Sequence, residues 1–229
     1  MSTAKIGDMG VYVAAPAGTP TAAIIVIQEI FGVNPGIRQK CDRWAQAGYL
    51  AVAPDIFWEF APGCSLDPDV EAELNEAFGH FQRYDASDGV MDLEATIKAI
   101  RAGSFGHALV EKVGAVGYCL GGRLAYMMSC RTDIDASVGY YGVMIDQMLG
   151  ESHAIASPLM LHIPTADHFV GPEAQAAIHG GLGANRHVTL HDYVGLDHGF
   201  AAETGSRWDA AGAEMADART VAFFEEHLG

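Results

Sequence analysis

Three residues of this chain have the types needed for covalent acyl transfer: a nucleophile, Cys119, an acid, Asp167, and a base, His198, in that chain order. Cys119 lies in Gly117-Tyr-Cys-Leu-Gly121, after the apolar run Val113-Gly-Ala-Val116 and before Gly122-Arg-Leu-Ala-Tyr-Met-Met128. A nucleophile between two glycines, where a β-type run gives way to a helix-type run, has the form of a nucleophile elbow. The turn is so tight that small residues must flank it, and it pushes the central side chain above the sheet. Here that side chain is a thiol. Taken alone, it could equally be a small buried Cys in a Gly-rich turn, because free Cys is among the most buried residue types.

The thiolate is the reactive form of cysteine, and an unperturbed thiol is only slightly ionised at neutral pH. His198 has the chemistry to take the thiol proton and later hand it to a leaving oxygen, while Asp167 fixes the imidazole tautomer and stabilises the imidazolium. Each sits beside a residue of the other type, His168 next to Asp167 and Asp197 next to His198, so Asp197 could stand in as the acid or His168 as the base. An Asp after a strand is also often only a turn or cap residue, and a loop His only a surface group.

Such residues act together only if the fold brings them to one edge, and the chain alternates strand and helix periods as a mainly parallel sheet covered on both faces requires. Strands are expected at 22–27, 49–53, 113–116, 136–141, 159–163 and 187–193. Helices are expected at 37–47, 93–101, 123–130 and about 210–227, with a further one at 70–81. The continuous β-branched run Ala22-Ala-Ile-Ile-Val-Ile27 suits a strand buried on both faces. Ligands in such sheets bind beyond the carboxyl ends of the strands, where Cys119, Asp167 and His198 all fall. Nucleophile, acid, histidine is the α/β-hydrolase order, distinct from those of chymotrypsin-like and subtilisin-like enzymes.

Composition narrows the classes further. With 229 residues, 50% of them hydrophobic, and no linker, repeat or low-complexity stretch, residues 1–229 are expected to form a single domain. A net charge of -16 repels nucleic acid and anionic membrane surfaces. The N-terminus lacks an apolar signal core and no apolar run approaches membrane-spanning length, which makes the cytoplasm the expected location. Cys41, Cys64, Cys119 and Cys130 show neither metal-ligand nor disulfide spacing. His187 and His191 share a strand face without a third ligand at a convincing spacing, so no metal is expected.

Glu29 ends the apolar run at the same sheet edge, and a carboxylate there is costly to bury without a partner. It either contacts Cys119 and regulates its protonation, or pairs with Arg38 or caps the following helix. In the first case the backbone N–H groups of Ile30 and Leu120 form the oxyanion hole. Between residues 57 and 81 the chain is aromatic and acidic, and supplies either the rim of the pocket or a solvated helix whose aromatics pack on the core. Trp58, Phe78, Phe81 and Tyr140 are the wall candidates.

These residues resemble the dienelactone hydrolase family. The resemblance rests on Val26-Ile-Gln-Glu29-Ile-Phe-Gly-Val-Asn34, Gly117-Tyr-Cys119-Leu-Gly-Gly122, Gly139-Tyr-Tyr-Gly142, Asp167-His-Phe-Val170, Gly195-Leu-Asp-His198-Gly-Phe200 and Arg219-Thr220, and spans nearly the whole chain. It implies an α/β-hydrolase fold, a Cys-His-Asp triad, a Glu paired with the thiol, no cofactor, and hydrolysis of a small ester or enol-lactone such as 4-carboxymethylenebut-2-en-4-olide. A monomer or weak homodimer is expected.

The resemblance breaks where substrate is held. Family members that act on dienelactone use arginines to bind the substrate carboxylate, and the matching positions here are Leu74 and Ala202. Losing such a clamp is not conservative, because charge-assisted bonds from Arg are strong and directional. The expected substrate is therefore less anionic, unless Arg207 or Arg83 binds the carboxylate from elsewhere. A carboxylesterase or thioesterase is the alternative reading. A thiol redox protein is disfavoured because Cys130 lies about three helical turns from Cys119, and a non-catalytic binding domain because all three triad types are present.

Overall fold

The computed structural model describes residues 2–106, 109–203 and 205–229. Eight strands form one sheet in the order β1-β2-β4-β3-β5-β6-β7-β8. They are β1 (Ser2–Ile6), β2 (Met9–Ala14), β3 (Ala23–Ile27), β4 (Leu50–Pro54), β5 (Val113–Tyr118), β6 (Ala136–Tyr140), β7 (Leu159–Pro164) and β8 (Val188–Tyr193). The pairs β1–β2 and β2–β4 are antiparallel, and every pairing from β4 through β8 is parallel. The N-terminal hairpin was not foreseen, since residues 2–14 mix polar and apolar types without a long buried run. The parallel part follows the expected pattern.

Strand residues are apolar on both faces because helices cover both. Ala23, Ile25 and Ile27 of β3 join the core shared with helices α3 (Ala86–Arg101), α4 (Leu120–Arg131) and α5 (Pro172–Leu182). Ile24 and Val26, pointing the other way, join the core shared with α1 (Pro35–Gln46) and α6 (Ala210–Leu228). Side chains alternate along a strand, so period two splits one run between two cores. Each fully buried Ile removes enough apolar surface to stabilise the fold by about 1.5–3 kcal/mol. Helix α2 (Glu71–Arg83) follows β4 in the chain, and a 3-10 stretch (Ile145–Ala154) packs against α4 and α5.

Three loops turn into helices at residues suited to the purpose. The Asn34 side chain accepts from Ile37 N at 3.1 Å ahead of Pro35, Asp85 accepts from Ser87 N at 2.8 Å, and Asp209 accepts from Gly212 N at 2.7 Å. Such caps satisfy amides that have no intrahelical partner. The Asp85 cap starts α3 seven residues before the expected Leu93, because the polar turn Ala86-Ser-Asp-Gly89 hides the apolar period. Helix α5 was also missed, its Ala/Gly-rich face giving little contrast.

The register delivers the strand ends to one edge. Ile27 pairs with Gly117, Tyr118 with Tyr140, and Pro164 with Tyr193. The loops that leave β3, β5, β6, β7 and β8 therefore emerge side by side. No described helix is long and apolar enough to cross a membrane.

Candidate active site

Cys119 follows the last residue of β5 and precedes the first of α4, with φ 55° and ψ -112°. A left-handed φ on a residue that bears a side chain costs about 1–3 kcal/mol and persists only where the surroundings enforce it. The glycines do so. A Cβ at Gly117 would lie 1.9 Å from the Gly121 carbonyl oxygen, and one at Gly121 would lie 2.5 Å from that of Ile27. Strand, elbow and helix thus approach too closely for any side chain, and the strained thiol is presented at the N-terminus of α4. The first amides of a helix have no intrahelical acceptor, so the Leu120 N–H is available to an incoming oxygen.

His198 follows β8 and is 5% exposed. Its Nδ1 lies 2.9 Å from Asp167 Oδ2, while Asp167 Oδ1 accepts from Phe169 N at 2.8 Å and Val170 N at 3.1 Å. Both carboxylate oxygens are engaged, which locks the acid and leaves His198 Nε2 as the free ring nitrogen. Tyr141 and Phe169 pack on the imidazole at centroid distances of 4.8 Å each. Burial disfavours the imidazolium, but the charge of the Cys119 sulfur and the Asp167 bond outweigh it and raise the His198 pKa to about 10. The Cys119 side chain, as a hydrogen-bonding partner of the ring, acts in the same direction.

Glu29, in the loop after β3, shares a cavity of about 400 Å³ with Ile30, Leu74, Phe78, Cys119, Phe169, His198, Ala202 and Arg207. Burial pushes its carboxyl pKa upward, opposed by the positive ends of His198 and Lys40 and by the Tyr141 hydroxyl. That hydroxyl is buried and faces Glu29 without completing a hydrogen bond of normal geometry. Arg38 is not the partner of Glu29: its Nε donates to Val33 O at 2.9 Å. Nor does Glu29 cap α1, since Asn34 does.

Of the four wall residues read from sequence, only Phe78 lines this cavity. Tyr140 is fully buried, with its hydroxyl 2.8 Å from Asp217 Oδ1 and 2.6 Å from Thr220 Oγ1 on the α6 side of the sheet. The two tyrosines at the end of β6 are next in sequence and point to opposite places, and it is Tyr141 that reaches the site. Trp58 donates from Nε1 to Asp92 at 3.0 Å, and Phe81 packs against the core around α4. Neither lines the cavity. Arg83 lies over the Phe60 ring at 4.7 Å in a separate depression, whereas Arg207 lines the cavity itself.

Lys40 was missed. It is 8% exposed, donates to Ala201 O at 3.0 Å in the His198 loop, and sits 4.4 Å above the Tyr118 ring. Burial lowers its pKa, against the pull of Asp217, Glu203 and Glu29. The signal was present: Ile37, Lys40, Cys41 and Trp44 form one helical stripe, and a lysine on an apolar stripe needs a reason. Among the described residues, Asp167, His168 and Asp197 bring three possible metal-ligand atoms within 4.8 Å of one another, whereas His187 and His191 join no such group.

A mainly parallel sheet with helices on both faces and a nucleophile elbow after β5 defines an α/β hydrolase. The dienelactone hydrolase family model matches residues 9–228, and the chain belongs to that family. A protein from Azospirillum brasilense is 41% identical over 229 residues, covering 97% of this chain and 95% of its own. Carboxymethylenebutenolidase 1 of Cupriavidus pinatubonensis is 36% identical over 215 residues, covering 94% and 90%. A crystal structure from Klebsiella pneumoniae superposes with a TM-score of 0.86 at 22% identity, covering 98% of each chain, and shows the same fold.

The Glu29 carboxyl is held where its charge is disfavoured, which has a measurable consequence. Its folded-state pKa lies above the unfolded value, so folding favours the protonated form, and stability falls as pH rises from about 4.5 through the folded pKa. Glu29→Gln is therefore expected to melt higher than wild type at pH 8 and to lose that advantage as the pH is lowered to 4.5. Thermal melts across this range check the sign. An advantage that grows toward acid would show that Glu29 is stabilised as the carboxylate.

Proposed function

We propose that this single-domain chain hydrolyses a small ester or enol-lactone through a covalent thioester on Cys119, with His198 as base and acid and Asp167 as its orienting partner. The observation that carries the reading is the buried Asp167–His198 pair whose imidazole shares one cavity with the strained Cys119 at the carboxyl edge of the sheet. The thiolate attacks the carbonyl carbon, and the oxygen that gains charge is received by the N–H groups of Ile30 and Leu120. Collapse breaks the acyl C–O bond as His198 gives its proton to the leaving oxygen. Water, losing a proton to His198, then attacks the thioester, and the acid product leaves the thiolate restored. Glu29 holds a carboxyl next to the resting thiol, where it either accepts S–H or repels a thiolate, and both restrain the nucleophile until substrate arrives.

The cavity favours acyl groups without a free charge. Leu74 and Ala202 both line it, as do Glu29, Asp69 and Glu71, with Arg207 as the arginine among its lining residues. Charge-assisted hydrogen bonds are worth about 1.5–3 kcal/mol each, so two missing arginines weaken binding of a substrate carboxylate about a hundredfold or more. Neutral aryl esters and lactones are accordingly expected to have higher kcat/KM than dienelactone, and Ala202→Arg to shift the preference toward the anion.

The presence of Arg207 in the cavity lining favours a second reading, in which it receives a substrate carboxylate. Comparing kcat/KM for 4-nitrophenyl acetate and dienelactone in wild type, Ala202→Arg and Arg207→Ala decides between them. A wild-type preference for dienelactone that Arg207→Ala reduces about tenfold or more, with the neutral ester unaffected, establishes the second reading and removes the first.

A further inference from the structure

The two loops that carry Asp167 and His198 each present an Asp-His dipeptide, 167–168 and 197–198, and the dipeptides pair crosswise. Asp167 Oδ2 meets His198 Nδ1 at 2.9 Å, and Asp197 Oδ1 meets His168 Nδ1 at 2.7 Å. The inner pair has side chains 7% and 1% exposed; the outer pair is 40% and 43% exposed. Building the catalytic pair does not require the outer one, so the outer pair calls for its own explanation.

We propose that Asp197 is a positioning residue that clamps the Asp167 loop to the His198 loop and so fixes the distance between acid and base. The proposal rests on the triad reading above. One carboxylate oxygen, Asp197 Oδ1, accepts from the backbone N–H of His198 at 2.6 Å and from that of His168 at 3.1 Å, besides the His168 ring. It thereby ties the backbone of His198 to that of His168, the residue after Asp167. Backbone bonds already join the loops nearer the strands: Thr165 N donates to Tyr193 O at 3.0 Å and Ala166 N to Leu196 O at 2.9 Å. That ladder ends just before the acid and the base, and the Asp197 side chain extends it by one rung.

The clamp also reaches the cavity wall. The His168 ring lies 4.0 Å from that of Phe169, which packs edge-on against His198 at 4.8 Å and beneath the Arg207 guanidinium at 5.9 Å. Although partial burial opposes ionisation, the bonds from His168 and the two backbone amides hold the Asp197 pKa down to about 2. The carboxylate thus stays charged wherever the enzyme works. Groups facing it are His168, Asp167 and the His198 ring, whose centroid is 6.2 Å from that of His168.

Hydrolysis of 4-nitrophenyl acetate and the pH profile of Cys119 alkylation by iodoacetamide test this in Asp197→Ala, Asp197→Asn and His168→Ala. A displacement of about 1 Å at a catalytic group costs on the order of a hundredfold, so Asp197→Ala is expected to lose about tenfold to a hundredfold in kcat with KM little changed. Its alkylation profile should shift as His198 loses its fixed geometry. Asparagine keeps an oxygen for both backbone donors and should recover most of the rate, and His168→Ala, which removes only the ring bond, should fall between. Should Asp197→Ala fail to fold, the Asn and His168 variants carry the test in the same order.

Wild-type kcat and alkylation profile in Asp197→Ala, or equal impairment in the Ala and Asn variants, would overturn the clamp. Cys119→Ala run in parallel keeps the two readings apart. Activity retained there refutes the triad, whereas a fully active Asp197→Ala beside an inactive Cys119→Ala refutes the clamp alone.

Discussion

Replacing Cys119 by alanine is expected to lower ester turnover by about 10⁴-fold or more, the scale seen when a triad nucleophile is removed. The loss should fall on kcat, because the other lining residues are untouched. The same residue should react with iodoacetamide ahead of the other three thiols. Burial pushes Cys41 up and leaves it without exposed surface, burial with Asp55 and Glu76 pushes Cys64 up to about 11, and burial raises Cys130. None of these three has a base aimed at it. Cys119 has His198, whose imidazolium is favoured by the sulfur's own charge. Equal labelling of all four, or unchanged turnover after Cys119→Ala, would remove the basis for a thiol mechanism.

A methyl group at the elbow is expected to damage the protein more than most core substitutions. In Gly117→Ala the new Cβ would lie 1.9 Å from the Gly121 carbonyl oxygen and 2.2 Å from its carbonyl carbon, both backbone atoms of a helix that cannot swing aside. Overpacking that must move backbone costs about 3 kcal/mol or more, and at about 2–4 °C per kcal/mol the melting temperature should fall by roughly 6–12 °C. Activity should be lost along with it, because any relief displaces Cys119. Gly79→Ala supplies the contrast. That glycine sits in α2 with nothing within 4 Å of an added Cβ, and the substitution should be neutral or stabilising by about 0.5–1 kcal/mol. Calorimetry of the two variants separates the cases, and a Gly117→Ala protein melting with wild type would show that the elbow is looser than its geometry.

Why some of this was legible in the sequence and some not follows from the range of the interactions involved. The elbow is written locally: strand, glycine, thiol, glycine and helix occupy consecutive residues, and the physical constraint acts within them. The parallel strands were legible because burial on both faces leaves unbroken apolar runs such as Ala23–Ile27. The N-terminal hairpin, paired at the sheet's outer edge, leaves no such run. Site walls depend on which way a side chain leaves its strand or helix, a one-residue matter. Tyr140 and Tyr141 are chemically identical neighbours, and only the end of β6 decides that the first enters the α6 network and the second the active site. Phe78 and Phe81 are three residues apart on α2 and both pack on the core around α4, yet only Phe78 also borders the cavity. Arg207 could not be chosen over Arg83 from sequence, because the loop after His198 brings it back over Phe169 through contacts with residues distant along the chain.

The same logic applies to the acid and base. Two Asp-His dipeptides offered two possible pairings, and composition cannot distinguish them. Burial does: the Asp167–His198 pair is enclosed while the Asp197–His168 pair meets solvent. A buried carboxylate with both oxygens engaged suits the orienting role proposed for Asp167, and the exposed Asp197 suits the proposed clamp.

Hydrolysis by the proposed route passes through a covalent intermediate at one sulfur, and that intermediate can be weighed. Wild-type protein mixed with excess 4-nitrophenyl acetate, quenched in acid within the first turnover and digested, should yield the peptide that carries Cys119 heavier by one acetyl group, with an equimolar burst of nitrophenol and no such adduct in Cys119→Ala. Turnover without any acylated peptide, or an acetyl group carried by a different residue and persisting in Cys119→Ala, would contradict it.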